Sequence, residues 1–166
     1  MEEFARLLDA GCEELGIVLT EKQKEQFFKY FQLLTEWNQV MNLTAITEMP
    51  EVVTKHFVDS LLVVKVFDGI RTEAYSCIDV GTGAGFPGIP LKIAFPQLQI
   101  TLLDSLNKRV GFLNTVIQEL GLTGITAVHG RQRTLDGTKS IGNSLIFVYP
   151  EQLRISPPCR NIVFPL

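Results

Sequence analysis

Glycine recurs at alternate positions in one stretch of this 166-residue chain, at Gly81, Gly83 and Gly85. Glycine is needed where the backbone takes a positive φ angle, or where a ligand contacts backbone that carries no Cβ atom. A stretch of this kind is either a structural turn alone or a receptor for a small molecule. We interpret it as a loop that binds a small molecule.

The glycines only weakly match the known phosphate-binding motifs. Gly83, Gly85 and Gly88 fit the dinucleotide pattern G-x-G-x-x-G. The fit places Pro87, which has no N–H group, where a pyrophosphate would sit, and its first glycine comes late after the preceding apolar run. The Lys-Ser/Thr pair of the P-loop is missing from the loop sequence.

Asp104 is the carboxylate expected to accompany such a loop. It follows the apolar run from Gln99 to Leu103, which we predict to be the second strand of a sheet. A carboxylate at that position accepts hydrogen bonds from both hydroxyls of an unphosphorylated ribose, which suits more than one kind of nucleoside cofactor. The alternative role for Asp104 is an N-cap of the following helix.

Residues 75–129 contain the elements that must position the loop. The run ending at Val80 predicts a strand before it, and Leu91 to Phe95 predicts a helix after it. A helix from Asn107 to Leu120, ended by Gly121, and a strand from Ile125 to Val128 follow. The order β-α-β-α-β is one half of a doubly wound α/β sheet.

The first 70 residues are predicted to be a helical cap without strands. One helix spans about residues 3–16, and Thr20 with Gln23 forms a capping box for a second. A third helix starts near Pro50. The apolar stripe of the second helix is interpreted as core rather than as a base-stacking surface; it comprises Phe27, Phe31, Leu34, Trp37 and Met41.

The composition favours a globular protein of the cytosol. The hydrophobic fraction is 46% and the net charge is −3, so any RNA-binding surface must be a local basic patch. No apolar run reaches the length of a membrane span, and the N-terminus is acidic rather than a signal peptide. The cysteines, Cys12, Cys77 and Cys159, lack metal-binding spacing, so we expect no metal site.

Four motifs in the same order give the chain a specific resemblance to a known family. They are D-V-G-T-G-A-G-F-P-G-I-P-L at the loop, N-Q-V-M-N-L-T-A-I (Asn38 to Ile46), H-F-V-D-S-L (His56 to Leu61) and V-H-G-R (Val128 to Arg131). Together they resemble the RsmG family, ribosomal RNA small subunit methyltransferase G, also called glucose-inhibited division protein B or GidB. The resemblance covers roughly residues 1 to 131.

The resemblance implies a Rossmann-like fold of the S-adenosylmethionine-dependent methyltransferases, with a cofactor-binding half at 71–131 behind the cap at 1–70. It implies S-adenosylmethionine as cofactor and the N7 of a guanine in 16S small-subunit ribosomal RNA, free or in the 30S subunit, as methyl acceptor. Asp79 would hold the cofactor's ammonium group or fix the loop. The remaining implied cofactor contacts are Gly81, Gly83, Gly85, Phe86, Asp104, Ser105 and Leu106.

Polar residues outside the loop have two interpretations each. His56, Asp59 and Ser60 share one face of the third helix, where they either pack the cap onto the cofactor-binding half or line the cleft for cofactor or RNA. The same choice applies to the turn that contains Asn38, Asn42 and Thr44. Lys108 and Arg109 are either a solvated helix face or phosphate contacts. No catalytic base is assigned.

The resemblance stops after Arg131, and residues 132–166 are predicted to be an aberrant tail. Gln132 and Arg133 stand where the family has Ala-Glu beside the adenine, and replacing an acceptor carboxylate by Arg would disturb adenine recognition. A back-translation with one G restored after codon 131 yields Ala-Glu and a Ser-Arg-Ala-Val block in register. We therefore hypothesise a single-base deletion there, which would also remove the second half-sheet and leave strand edges unpaired.

Overall fold

The computed structural model describes residues 1–130 together with the backbone of residues 145–150. Six α-helices, one π-helical turn and two 3-10 turns surround a sheet of four strands in this part of the chain. The helices before residue 72 precede the first strand, as the sequence predicts. Gln132, Arg133 and most of the predicted tail lie outside the described residues.

The two longest helices of the cap form as the sequence predicts. Helix α1 (Glu2–Glu13) buries Phe4, Leu8 and Cys12 at a spacing of four residues. Helix α2 (Glu21–Met41) begins at the capping box, where Thr20 Oγ1 accepts from the Gln23 N–H and the Gln23 side chain accepts from Thr20. It ends at Asn42, which adopts the left-handed conformation (φ 48°).

The third predicted helix is a mixed segment. It consists of α3 (Met49–Val52), a π-helical turn (Val53–Val58), α4 (Asp59–Leu61) and a 3-10 turn (Leu62–Lys65). Pro50 lies in its first turn, as predicted. The π turn was not predicted, because apolar residues repeating about every fourth position look the same over one turn of either helix type.

The sheet has the strand order β3-β2-β1-β4. Strands β1 (Tyr75–Val80), β2 (Gln99–Asp104) and β3 (Ile125–His129) run parallel, with Val80 paired to Leu103 and Asp104 paired to His129. Helices α5 (Gly88–Ala94) and α6 (Asn107–Glu119) make the two crossovers. The predicted β-α-β-α-β order is therefore confirmed, and it places the carboxyl ends of β1 and β2 side by side.

The expectation that strand edges are left unpaired is wrong for β1. Strand β4 (Leu145–Pro150) pairs with β1 along its whole length, from Tyr75 opposite Pro150 to Val80 opposite Leu145. The pairing is antiparallel. An antiparallel neighbour satisfies the N–H and C=O groups of an edge just as a parallel one does, so the apolar run at 145–149 suffices to cover β1.

The cap is joined to the sheet layer by α2. Gln23 Nε2 donates to the carbonyls of Ile93 (2.8 Å) and Ala94 (3.1 Å) at the end of α5. Gln26 Nε2 donates to the carbonyl of Leu120 (2.8 Å), which follows α6. Carbonyls at a helix C-terminus lack intrahelical donors, so these amides satisfy them. One apolar cluster continues from the cap into the sheet layer. Among the described residues, no helix combines the length and apolarity needed to cross a bilayer.

Candidate functional site

The glycine loop lies between β1 and α5, at the carboxyl end of the sheet. Gly81, Gly83 and Gly85 have φ angles of 74°, 60° and 103°, which side chains other than glycine rarely adopt. These angles account for glycine at the three positions, while the binding of a small molecule by the loop remains a prediction. At this end of a parallel sheet, doubly wound proteins bind their ligands.

The backbone donors of the loop are largely satisfied within the protein. Gly81 and Thr82 donate to the carbonyl of Leu103, at 2.8 and 3.3 Å. Gly85 and Phe86 donate to the carbonyl of Thr82, at 2.8 and 3.1 Å. Phosphate-binding loops instead aim several N–H groups at one anion. This loop does not present such a set of donors.

Two further N–H groups, one within the loop and one at the start of α5, bond to two buried aspartates. Gly83 donates to Asp104 Oδ2 and Gly88 donates to Asp79 Oδ2, both at 2.9 Å. The exposed fractions of Asp79 and Asp104 are 0% and 2%. The frame of the loop is therefore acidic, which favours a cationic ligand over a phosphate.

Asp79 fixes the loop. Its Oδ2 accepts from Thr82 Oγ1 at 2.7 Å as well as from Gly88, while its Oδ1 has no hydrogen-bond partner among the described residues. Burial raises the pKa of Asp79 from 3.8 to about 7; the donors on Thr82 and Gly88 oppose this shift, and the charge of Asp104 adds to it. Contact with a cofactor ammonium remains a prediction for this residue.

Asp104 joins the loop to the start of α6. Besides Gly83, it accepts at Oδ1 from the N–H of Leu106 (2.8 Å), and Arg109 Nη1 lies 3.7 Å from Oδ2. The N-cap of α6 is Leu106, so the alternative N-cap role of Asp104 is not what the structure shows. A carboxylate oxygen accepts more than one hydrogen bond, so Asp104 retains acceptor capacity for a ligand.

The space around each glycine separates two halves of the loop. A Cβ added to Gly81 would meet no atom within 4 Å, and one added to Gly83 would meet only the Gly81 carbonyl, at 3.9 Å. A Cβ on Gly85 would lie 2.5 Å from Ile89 Cδ1 and 2.8 Å from the hydroxyl of Tyr30. The first half of the loop therefore has room for a ligand, whereas the second half is packed against protein.

The cap contacts the loop through His56. Its ring stacks on Phe86, with centroids 4.5 Å apart and an interplanar angle of 12°, and its Nε2 lies 2.8 Å from Thr44 Oγ1. Thr44 is held in turn, because its N–H donates to Asn38 Oδ1 (2.8 Å). Burial lowers the pKa of His56 below 6.5, although its hydrogen bond to the backbone of Lys55 acts in the opposite direction. His56, Thr44 and Asn38 therefore form a packing contact between cap and loop.

The other predicted polar residues do not contact the loop aromatic ring on which His56 stacks. Ser60 is buried and donates to the carbonyl of His56, whereas Asp59 is exposed. Ser105 and Leu106 are exposed next to Asp104, where the ribose and adenosine contacts are predicted. Lys108 is likewise exposed in the first turn of α6.

Sequence reasoning missed Tyr30, whose hydroxyl donates to the carbonyl of Ala84 in the loop at 2.5 Å. Tyr30 is fully buried. It lies three residues after Phe27 and four before Leu34, on the apolar stripe of α2, but it was not among the stripe residues named. The signal was present, because a tyrosine on an apolar face needs a partner for its hydroxyl.

The class of protein follows from the fold and the site. The sheet has three parallel strands, with a glycine loop after the first and an aspartate at the end of the second. The protein is therefore a Rossmann-like α/β protein of the S-adenosylmethionine-dependent methyltransferase fold. Residues 23–142 match the GidB family, described as rRNA small subunit methyltransferase G. The chain belongs to this family.

Individual relatives agree with the family match. Proteins named ribosomal RNA small subunit methyltransferase G are 55% identical over 129 residues in Alkaliphilus metalliredigens, 56% over 139 in Lactiplantibacillus plantarum and 58% over 125 in Thermoanaerobacter pseudethanolicus. These matches cover 78%, 84% and 75% of this chain, and 53%, 55% and 51% of the relatives. The chain thus spans about half the length of the curated relatives it matches.

Proposed function

We propose that the glycine loop binds S-adenosylmethionine. The observation that carries the proposal is the hydrogen bonding of the loop, whose donors bond to protein carbonyls and to Asp79 and Asp104. Such a loop has little to offer a pyrophosphate but can receive a ligand by close backbone approach at Gly81 and Gly83. The two carboxyl groups suit a cofactor that carries a sulfonium and an ammonium group.

Each part of the site has a proposed task. Asp104 accepts from the ribose hydroxyls, Ser105 and Leu106 lie along the adenosine, and Gly81 with Phe86 contacts the methionine portion. The family match and the names of the relatives support this assignment. Gln132 and Arg133 belong to the proposed adenine contacts, but they lie outside the described residues.

We further propose that the methyl acceptor is the N7 of a guanine in 16S ribosomal RNA. The relatives are named as methyltransferases of small-subunit ribosomal RNA. Guanine N7 carries a lone pair and no proton, so attack on a methyl group needs no general base. The cofactor supplies an electrophilic methyl group, and the protein contributes by holding the two partners in line and excluding water.

Calorimetry with the full chain tests the cofactor proposal. S-adenosylmethionine should bind, and Asp104→Asn should weaken binding at least roughly tenfold, since replacing a carboxylate removes a charge-assisted acceptor for the ribose hydroxyls. Asp68→Asn, at an exposed aspartate of the linker before β1, is the matched control and should leave the affinity unchanged. The alternative to a methyltransferase is an NAD-linked oxidoreductase, which the weak match of Gly83, Gly85 and Gly88 to the dinucleotide pattern allows; NAD binding as tight as S-adenosylmethionine binding would favour it.

Complementation tests the transfer step. A strain that lacks the endogenous methyltransferase is supplied with this chain, and its 16S ribosomal RNA is treated with borohydride and aniline, which cleave at N7-methylguanine, before primer extension. A restored cleavage stop supports the enzyme. Cofactor binding without a stop indicates a binding remnant that transfers nothing.

Sequencing the gene around codon 131 tests the proposed deletion, since a locus without the alternative frame removes that hypothesis.

A further inference from the structure

The hydroxyl of Tyr30 reaches the cofactor loop from the cap. Tyr30 lies in the middle of α2, 54 residues before its acceptor, and its side chain has no solvent exposure. The hydroxyl donates to the carbonyl of Ala84, between Gly83 and Gly85, at 2.5 Å. Among the described residues this carbonyl has no backbone donor, so a side chain from a different layer of the fold satisfies it.

The ring of Tyr30 contacts the loop residues that follow Ala84. Its centroid lies 5.6 Å from that of Phe86, and its hydroxyl occupies the space that a Cβ on Gly85 would need, at 2.8 Å. On its other side the ring stacks on Phe57 of the π-helical turn, with centroids 5.4 Å apart. Three consecutive loop residues, 84 to 86, are therefore held by one phenol.

The hydroxyl of Tyr30 keeps its proton at neutral pH. Burial raises the pKa of Tyr30 well above 10, and the neighbouring charge of Asp79 raises it further. The O–H group is therefore available as a donor to Ala84. The first half of the loop is fixed differently, through the carbonyl of Leu103 and the carboxylate of Asp104.

We propose that Tyr30 is a positioning residue for the cofactor loop: its hydroxyl sets the conformation of Ala84, Gly85 and Phe86, so that the open half at Gly81 and Gly83 keeps the shape that receives the cofactor. The proposal rests on the proposed function of the loop. The loop itself belongs to the β-α-β-α-β half. On this proposal, a residue of the cap nevertheless sets the conformation of that loop.

Two tyrosines give a matched pair of variants. Tyr30→Phe removes the buried donor, and Tyr75→Phe removes a hydroxyl that donates to the exposed Glu73. Calorimetry with S-adenosylmethionine and with S-adenosylhomocysteine is done on the full chain under conditions where circular dichroism shows each variant folded. Hydrogen exchange is followed at the amides of Gly85 and Phe86. Tyr30→p-aminophenylalanine restores a donor at the same place.

Tyr30→Phe should weaken both ligands by roughly tenfold and speed exchange at the loop amides, while exchange in α1 stays as in the unsubstituted chain. Tyr75→Phe should change neither, and the amino variant should restore both. Equal affinity and equal loop exchange in Tyr30→Phe would overturn the proposal. Weakened ligand binding by Tyr30→p-aminophenylalanine would overturn the proposal too. If Tyr30→Phe does not fold, the p-aminophenylalanine variant is the deciding measurement. No binding by the unsubstituted chain would instead remove the proposed function, and this inference with it.

Discussion

Replacing Asp79 by Asn should alter how the stability of the protein depends on pH. The Asp79 carboxyl is fully buried, and its Oδ2 accepts from Thr82 and Gly88. Burial raises its pKa from 3.8 to about 7. Asparagine is nearly the same size, keeps one oxygen for the two donors and cannot ionise, so the substitution isolates the charge.

The sign and size of the effect follow from proton linkage. An aspartate with a pKa of 3.8 in the unfolded chain and about 7 in the folded one binds more protons when folded, so stability falls as the pH rises between those values. The pKa difference of about three corresponds to roughly 4 kcal/mol. About 2.5 kcal/mol of this is lost between about pH 5 and about pH 8.

Urea unfolding at a series of pH values measures this loss. From about pH 5 to about pH 8, the free energy of unfolding of Asp79→Asn should rise by about 2.5 kcal/mol relative to that of the unsubstituted protein, so the variant becomes the more stable of the two by comparison. Asp68→Asn, at an exposed aspartate before β1, is the control and should show no such trend. Parallel pH profiles for Asp79→Asn and the unsubstituted protein would refute the assignment of a buried, reluctantly ionised carboxyl.

Three further substitutions probe the loop and the cap. Gly85→Ala should cost about 3 kcal/mol of stability in urea unfolding, because the φ of Gly85 is 103° and a Cβ there would meet Ile89 and Tyr30. Gly81→Ala, where a Cβ meets no atom, should cost only about 1 kcal/mol. Its main effect should be weaker binding of S-adenosylmethionine, measured by calorimetry. The reverse order of stability would contradict the loop geometry. Gln23→Glu keeps the capping-box acceptor but loses the donor to α5, so a loss of about 1 kcal/mol or more in thermal unfolding is expected; no loss would show that this contact does not join cap and sheet.

The loop and the strand ends could be predicted from the sequence because their causes are local. Positive φ angles at Gly81, Gly83 and Gly85 follow from residue type, and Asp104 ends its strand because the apolar run stops there. The capping box at Thr20 likewise involves residues three apart. Each of these features depends on neighbours within a few positions along the chain.

The π turn and the partner of β1 lay beyond such reasoning. Residues 53–58 keep an apolar spacing that an α-helix would also satisfy, so periodicity does not distinguish the two forms; in the structure this turn packs against α1. The strand Leu145–Pro150 could be recognised as an apolar run, but its antiparallel direction against β1 is a property of the assembled sheet. The apolar pattern of this segment by itself carries no information on its direction in the sheet.

By itself the sequence determined where the chain must turn, which residues could face a nucleoside and which family the chain resembles. Only the tertiary structure decided what holds the loop in place. Tyr30 and Ala84 are 54 positions apart, and Gln23 and Ile93 are 70 apart, so no pattern along the chain connects them. Their contacts form because buried polar groups need partners and the packed layers bring these together.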